Sequence, residues 1–111
     1  MDFYSITNLD TDIMEGAFHI MEPIADEKRL IIPNTDLEEA TIVLVPGVVF
    51  DKKGSRYGYG RGFYDRYFAG KNAILKIGIA YEQQIFQKEL KTIATDIKMH
   101  RIVTEKEEIK V

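Results

Sequence analysis

"TIVLVPGVVFDKKGSRYGYGRGFYDRYF", Thr41 to Phe68, runs from an apolar segment through a glycine-rich turn into a stretch of helical spacing. The apolar segment, Thr41–Val45, is stopped by Pro46-Gly47, which is the pattern of a strand buried on both faces. At the far end Phe63 with Tyr67, and Tyr64 with Phe68, stand four residues apart and predict a helix with a broad aromatic face. Between the two, Gly58, Gly60 and Gly62 occupy every second position, Arg61 sits inside the run, Arg56 precedes it and Asp65 closes it.

Working outward, "AILKIGIAY" (Ala73–Tyr81) reads as a second strand, "HRIVTE" (His100–Glu105) as a more exposed third, and "FYSI" near the start as another. "EQQIFQKELKTI" carries Ile85, Phe86, Leu90 and Ile93 as an apolar stripe and predicts a second helix. Strands alternating with helical pieces imply βαβ units, a mostly parallel sheet and right-handed crossovers. Residues 1–40 carry little strong structure, with short apolar pieces and two prolines, Pro23 and Pro33. Three confident strands are few beside the about five or six of an average sheet, which points to a missing part.

The chain has 111 residues, 45% hydrophobic and 30% charged, which bounds it to one domain, residues 1–111, with a single core. A net charge of −3 argues against general affinity for nucleic acid or an anionic membrane, so an anion site must be built locally. No cysteine is present, which removes disulfides, thiolate metal sites and cysteine nucleophiles and fits a reducing compartment. The opening "MDFYSITNLDTD" lacks the basic start and apolar run of a signal peptide. No apolar stretch approaches the roughly 20 residues that span a bilayer. The expected location is cytoplasmic, with neither nucleic acid nor membrane as a partner.

Glycine lacks Cβ, so alternating glycines can line up several N–H donors on one concave surface that cradles an anion. A following helix would add its own free amides and positive dipole end. Arg56 and Arg61 can make charge-assisted hydrogen bonds to phosphate oxygens. Asp65 is a hard carboxylate, suited to Mg²⁺ beside a polyphosphate. Asp51, Arg56 and Asp65 thus bracket the glycines with chemistry suited to a nucleotide. The competing reading is an ordinary glycine turn in which Arg61 and Asp65 form a surface pair one helical turn apart. The spacing fits neither a Walker A loop nor the dinucleotide fingerprint.

The block "VPGVVFDKKGSRYGYGRGFYDRYF" resembles the signature of the 5-formyltetrahydrofolate cyclo-ligase (5,10-methenyltetrahydrofolate synthetase) family. "FYSI", "EGAFHIMEP", "KIGIAYEQQ" and "DIKMHRIVTE" agree in order, so the resemblance runs through nearly all of the chain. It implies an α/β fold, a three-layer Rossmann-like domain with a mostly parallel sheet, present here as the carboxyl-terminal part and incomplete relative to the family. It implies ATP and Mg²⁺ as cofactors and 5-formyltetrahydrofolate as substrate. The N5-formyl oxygen is phosphorylated, N10 attacks, and phosphate departs to give 5,10-methenyltetrahydrofolate. By the same resemblance Arg56, Tyr57, Gly58, Tyr59, Gly60, Arg61, Gly62, Phe63 and Tyr64 line the ATP phosphates. Tyr59, Gly60, Arg61, Gly62 and Phe63 also border the folate, Arg61 and Asp65 are catalytic, and Asp65 binds Mg²⁺.

Two departures qualify the resemblance. Family members carry a leading half that supplies a basic ATP-contacting segment, part of the sheet and an acidic folate contact. A homo-oligomer, or a partner chain supplying that half, is therefore an expectation, and so is a non-catalytic relative that binds without turnover. Second, His100 stands where the family's second Mg²⁺-associated aspartate falls, although neutral imidazole is a poor ligand for a hard ion. Asp96 is the alternative ligand, or a turn residue. His19 replaces a family glycine. Tyr57, Tyr59, Phe63 and Tyr64 stack on pterin or adenine, or pack in the core. Glu82, Gln83 and Gln84 follow a strand and reach a ligand, or only polarise a helix start.

Overall fold

The computed structural model describes residues 1–32, 41–71 and 73–111 of the chain, which divides into two compact units, Met1–Leu37 and Glu38–Val111. Pro33, at the end of the weakly patterned stretch, lies outside the described residues.

In the first unit, β1 (Ile13–Glu15) and β2 (Met21–Pro23) form an antiparallel hairpin in the register Ile13↔Pro23. The Asp12 carboxylate accepts the amides of Thr7 (2.9 Å) and Asn8 (3.0 Å) and pairs with Arg29. The Thr7 amide first, then Arg29, hold its pKa well below the usual carboxylate range. "FYSI" contributes one antiparallel bridge, Tyr4 to Leu30, and no longer strand.

The second unit carries the loop. Its main sheet has the order β3 (Ile42–Val45), β6 (Leu75–Ile79), β8 (Arg101–Val103) and β9 (Glu108–Lys110). The first three strands run parallel, in the registers Ile42↔Leu75 and Ile77↔Arg101, and β9 closes the edge antiparallel. A smaller sheet is ordered β5 (Arg56–Tyr57), β4 (Val49–Asp51), β7 (Ile85–Phe86), antiparallel then parallel. The fold is therefore mixed α/β. The strands expected at Thr41–Val45, Ala73–Tyr81 and His100–Glu105 all form, over shorter spans.

The core sits on one face of the main sheet. Val45, Ile102 and Ile109 point there, together with Lys76 and Gly78. Phe50 covers Gly78 so closely that a Cβ on that glycine would lie 2.6 Å from the ring. Phe68 of α1 (Phe63–Phe68) lies beneath the Lys76 ammonium, 5.3 Å from its ring centre. Lys76 is buried, and its Nζ donates to the carbonyls of Lys71 (3.3 Å) and Ile74 (3.2 Å), which ties the turn after α1 to the sheet. Desolvation lowers its pKa.

The opposite face departs from the sequence reading. Ile42 (55% exposed), Leu44 (61%) and Ile79 (45%) face solvent, with Val103 beside them. An unbroken apolar run shows that a strand can be buried on both sides; the described residues cover one.

The helix expected over "EQQIFQKELKTI" is absent. Glu82–Gln84 form a single 3₁₀ turn, and Ile85–Phe86 pair with β4. Gln84 donates through Nε2 to the carbonyls of Gly47 (2.9 Å) and Val48 (3.1 Å), and the Leu90 amide donates to Asp51 (2.7 Å). A helix this short is marginal by itself, and these long-range bonds stabilise the extended path instead. Ile85 and Leu90 become core residues, while Ile93 is exposed.

Candidate functional site

After β3 the chain turns at Pro46-Gly47, and after β5 it enters the glycine loop that leads into α1. Loop, helix start and turn border one cleft of about 640 Å³, a size suited to a nucleotide-like ligand. Arg56 to Asp65 line it without a break, joined by Pro46 and Asp96. The residues picked out in the sequence from Arg56 to Asp65 are therefore brought to one surface, at the carboxyl end of β3 where open α/β sheets bind ligands.

The glycines do different work. Gly60 (φ 92°) and Gly62 (φ 65°) take left-handed conformations, and Gly62 is the residue from which α1 starts. At Gly58 the need is space, because a Cβ there would lie 2.8 Å from Arg56 Nη1. The result is a bare strip of backbone. Among the described residues, the amides of residues 58–62 donate no hydrogen bond within the protein.

The two arginines differ. Arg56 is 9% exposed, donates from Nη1 to the Pro46 carbonyl (2.9 Å) and lies over the Tyr64 ring at 5.3 Å. Its Nε is buried without a partner among the described residues. Arg61 is exposed and makes no hydrogen bond or ion pair among them. The surface pair between Arg61 and Asp65 does not form: Asp65 Oδ1 accepts the Ile97 amide at 3.0 Å. Of the cleft's rings, Tyr59 (83% exposed) and Phe63 (47%) stand furthest into solvent, the latter with Arg66 over its ring. Tyr64 packs toward Phe68, and the Tyr57 hydroxyl donates to the Lys91 carbonyl at 2.7 Å. α1 has only six residues, so the dipole expected of it is small.

Asp51 is a correction. Its carboxylate is buried and saturated, with Oδ1 accepting the amides of Lys53 (2.9 Å) and Ser55 (3.0 Å) and Oδ2 that of Leu90. It shapes the β4–β5 turn and lies outside the cleft lining. Glu82 and Gln84 are likewise used inside the fold: Glu82 accepts from Thr104, and Gln84 braces the Pro46-Gly47 turn. His100 lies outside the cleft lining. Its Nδ1 accepts the Lys76 amide (3.0 Å), and desolvation of that edge, then the Lys76 ammonium, lower its pKa. His19, in the first unit, pairs with Glu15 at an exposed hairpin tip. Pro46, whose carbonyl positions Arg56, was not among the expected site residues; the signal available was its place at a strand's carboxyl end.

Mixed α/β topology, with an amide-lined, arginine-flanked cleft at the carboxyl end of a parallel strand, defines the class as an α/β protein. The chain belongs to the 5-formyltetrahydrofolate cyclo-ligase family, whose sequence model matches residues 1–105. It is 29% identical over 115 residues to a Schizosaccharomyces pombe protein named "Probable 5-formyltetrahydrofolate cyclo-ligase", covering 94% of this chain and 55% of the relative. It is 36% identical over 77 residues to the 5-formyltetrahydrofolate cyclo-ligase of Haemophilus influenzae, covering 68% of this chain and 39% of that one. The NMR structure of Aquifex aeolicus 5,10-methenyltetrahydrofolate synthetase superposes with a TM-score of 0.75 at 37% identity, over 98% of this chain and 52% of that one. The chain spans about half the length of such relatives. Among the described residues no helix is long and apolar enough to cross a membrane.

Proposed function

We propose that the chain is the carboxyl-terminal, phosphate-binding part of an ATP-dependent 5-formyltetrahydrofolate cyclo-ligase. The observation that carries this reading is the run of amides at residues 58–62 that have no partner among the described residues, flanked by Arg56 and by an Arg61 that no described carboxylate neutralises. In the proposed reaction the γ-phosphoryl of ATP passes to the N5-formyl oxygen and ADP leaves. N10 then attacks the formyl carbon, and its proton and inorganic phosphate depart, leaving 5,10-methenyltetrahydrofolate.

Such a transfer needs positioning and charge neutralisation more than a protein nucleophile. The loop amides and both arginines bind phosphate oxygens and disperse charge as it moves. Tyr59, already bare, offers a face on which pterin or adenine stacks, and Phe63 offers the face not covered by Arg66. Asp65 is assigned to Mg²⁺; a hard carboxylate fits that ion, which takes one or two protein oxygens beside phosphates and water. Bound Mg²⁺ would supply charge neutralisation. His100, outside the cleft lining and occupied at Nδ1, receives no metal role.

The exposed apolar face of the main sheet favours a second reading. A three-layer Rossmann-like domain buries both faces of its sheet, and here Ile42, Leu44 and Ile79 are bare. The loop then binds nucleotide or folate without turnover until a complement, either another copy or a polypeptide carrying the rest of the fold, packs against that face. A cytoplasmic setting goes with either reading.

The test mixes the folded chain with 5-formyltetrahydrofolate and MgATP and follows the absorbance of methenyltetrahydrofolate. Product supports the enzyme reading. Binding of nucleotide or folate without product supports the second, and binding of neither overturns both.

A further inference from the structure

We infer that Gln84, which lies outside the cleft lining, is the positioning residue that sets the Arg56 guanidinium for a bound phosphate. The inference rests on the nucleotide reading above and extends it to a side chain that reaches the ligand only through another. Arg56 lines the cleft with a buried Nε that has no partner among the described residues. A buried donor of this kind is costly until an acceptor such as a phosphate oxygen meets it, so its direction matters.

No described carboxylate fixes that direction, since none pairs with Arg56. The turn at residues 46–48 does. The Pro46 carbonyl accepts from Arg56 Nη1 at 2.9 Å. Gly47 is buried against the arginine's stem so closely that a Cβ there would lie 2.9 Å from Arg56 Cγ. The Val48 amide donates to the Tyr57 carbonyl at 2.7 Å, which joins the turn to the residue after Arg56. A shift of this turn therefore carries the guanidinium with it.

Gln84 is what holds the turn. Its Nε2 donates to two successive carbonyls, Gly47 (2.9 Å) and Val48 (3.1 Å), while Oε1 accepts the Tyr81 amide at 2.8 Å. Donors at one end and an acceptor at the other are what a carboxamide offers, and neither a carboxylate nor an ammonium supplies both. Tyr81 lies just past β6, so one side chain ties the carboxyl end of β6 to the turn at the carboxyl end of β3, its parallel neighbour. The order of the paired strands is passed in this way to an arginine that the cleft uses.

The experiment measures binding of a non-hydrolysable ATP analogue to the full chain by calorimetry across a double-mutant cycle: unsubstituted, Gln84→Met, Arg56→Met and both together. Methionine keeps the length of glutamine and removes its donors. Arg56→Met is expected to weaken binding about tenfold or more. Gln84→Met should weaken it about threefold or more, and the double variant should bind no more weakly than Arg56→Met alone. Arg61→Ala supplies the contrast, because Arg61 makes no bond to the turn among the described residues; in that background Gln84→Met should cost its full factor again. Urea titration reads stability in parallel. A Gln84→Met that lowers stability and keeps affinity marks a merely structural role and would overturn the inference, as would losses that add in the double variant. If Gln84→Met fails to fold, Gln84→Asn, one methylene shorter, runs the same cycle. If the unsubstituted chain binds the analogue and Arg56→Met binds it equally well, this inference alone falls; if the unsubstituted chain binds no analogue, the nucleotide reading falls with it.

Discussion

Replacing Gly58 by alanine tests whether the loop is built to hold Arg56. The φ of Gly58 lies outside the left-handed region, so the backbone tolerates alanine, but the new Cβ would lie 2.8 Å from Arg56 Nη1. The guanidinium must move away from the Pro46 carbonyl and off the Tyr64 ring. A hydrogen bond from a charged group contributes about 1.5–3 kcal/mol and the ring contact about 0.5–1 kcal/mol. Alanine offsets about 0.4–1 kcal/mol by restricting the unfolded chain. The net loss expected is about 1–3.5 kcal/mol, read as a lower urea midpoint at unchanged slope. The control is the same change in an Arg56→Met background, where the guanidinium is absent and Gly58→Ala should fall within about 0.5 kcal/mol of neutral or be stabilising. Equal losses in both backgrounds would refute the reasoning, since the clash would then not act through Arg56.

Further outcomes follow from other contacts. Gly78→Ala drives a Cβ to 2.6 Å from the fully buried Phe50 ring and should cost about 1–3 kcal/mol by overpacking, with recovery when Phe50→Leu is added; urea titration of both variants checks it. Arg61→Ala removes no bond among the described residues, so stability should hold within about 0.5 kcal/mol while nucleotide affinity drops by calorimetry; unchanged affinity would remove Arg61 from the site. His100 has a folded pKa below the ordinary 6.5, so the unfolded chain binds more protons as pH falls. Its contribution to stability is full above that ordinary value and is lost as pH falls through the folded one. The melting temperature should therefore drop more between pH 7.5 and pH 5 in the unsubstituted chain than in His100→Asn, and parallel profiles would contradict this.

Much of the site was legible because its chemistry is local. Glycines at 58, 60 and 62, with Arg56, Arg61 and Asp65 beside them, lie within ten residues, and short-range geometry alone turns such a run into a bare, cationic backbone surface. The helix at Phe63–Phe68 was readable for the same reason, since its start is a left-handed glycine and its spacing is regular. What misled was every residue whose role depends on a distant partner. Asp51 looks like a ligand until the Leu90 amide occupies it, and "EQQIFQKELKTI" looks helical until Gln84 reaches the Pro46-Gly47 turn. No local pattern encodes those partners.

The parallel core strands, the glycine loop and the family could all be read from the amino acids in order, because apolar runs and side-chain chemistry need no knowledge of the fold. Tertiary structure decided which of these groups remain available. Among the described residues it left the amides of residues 58–62 and Arg61 without partners, engaged both oxygens of Asp51, seated Asp65 against the peptide before Ile97 and kept His100 out of the cleft lining. It also left Ile42, Leu44 and Ile79 facing water. The physical reason is common to all of these. A donor, acceptor or apolar side chain is free or consumed according to what the fold places within a few ångströms of it, and for these residues those neighbours come from segments far away in the chain.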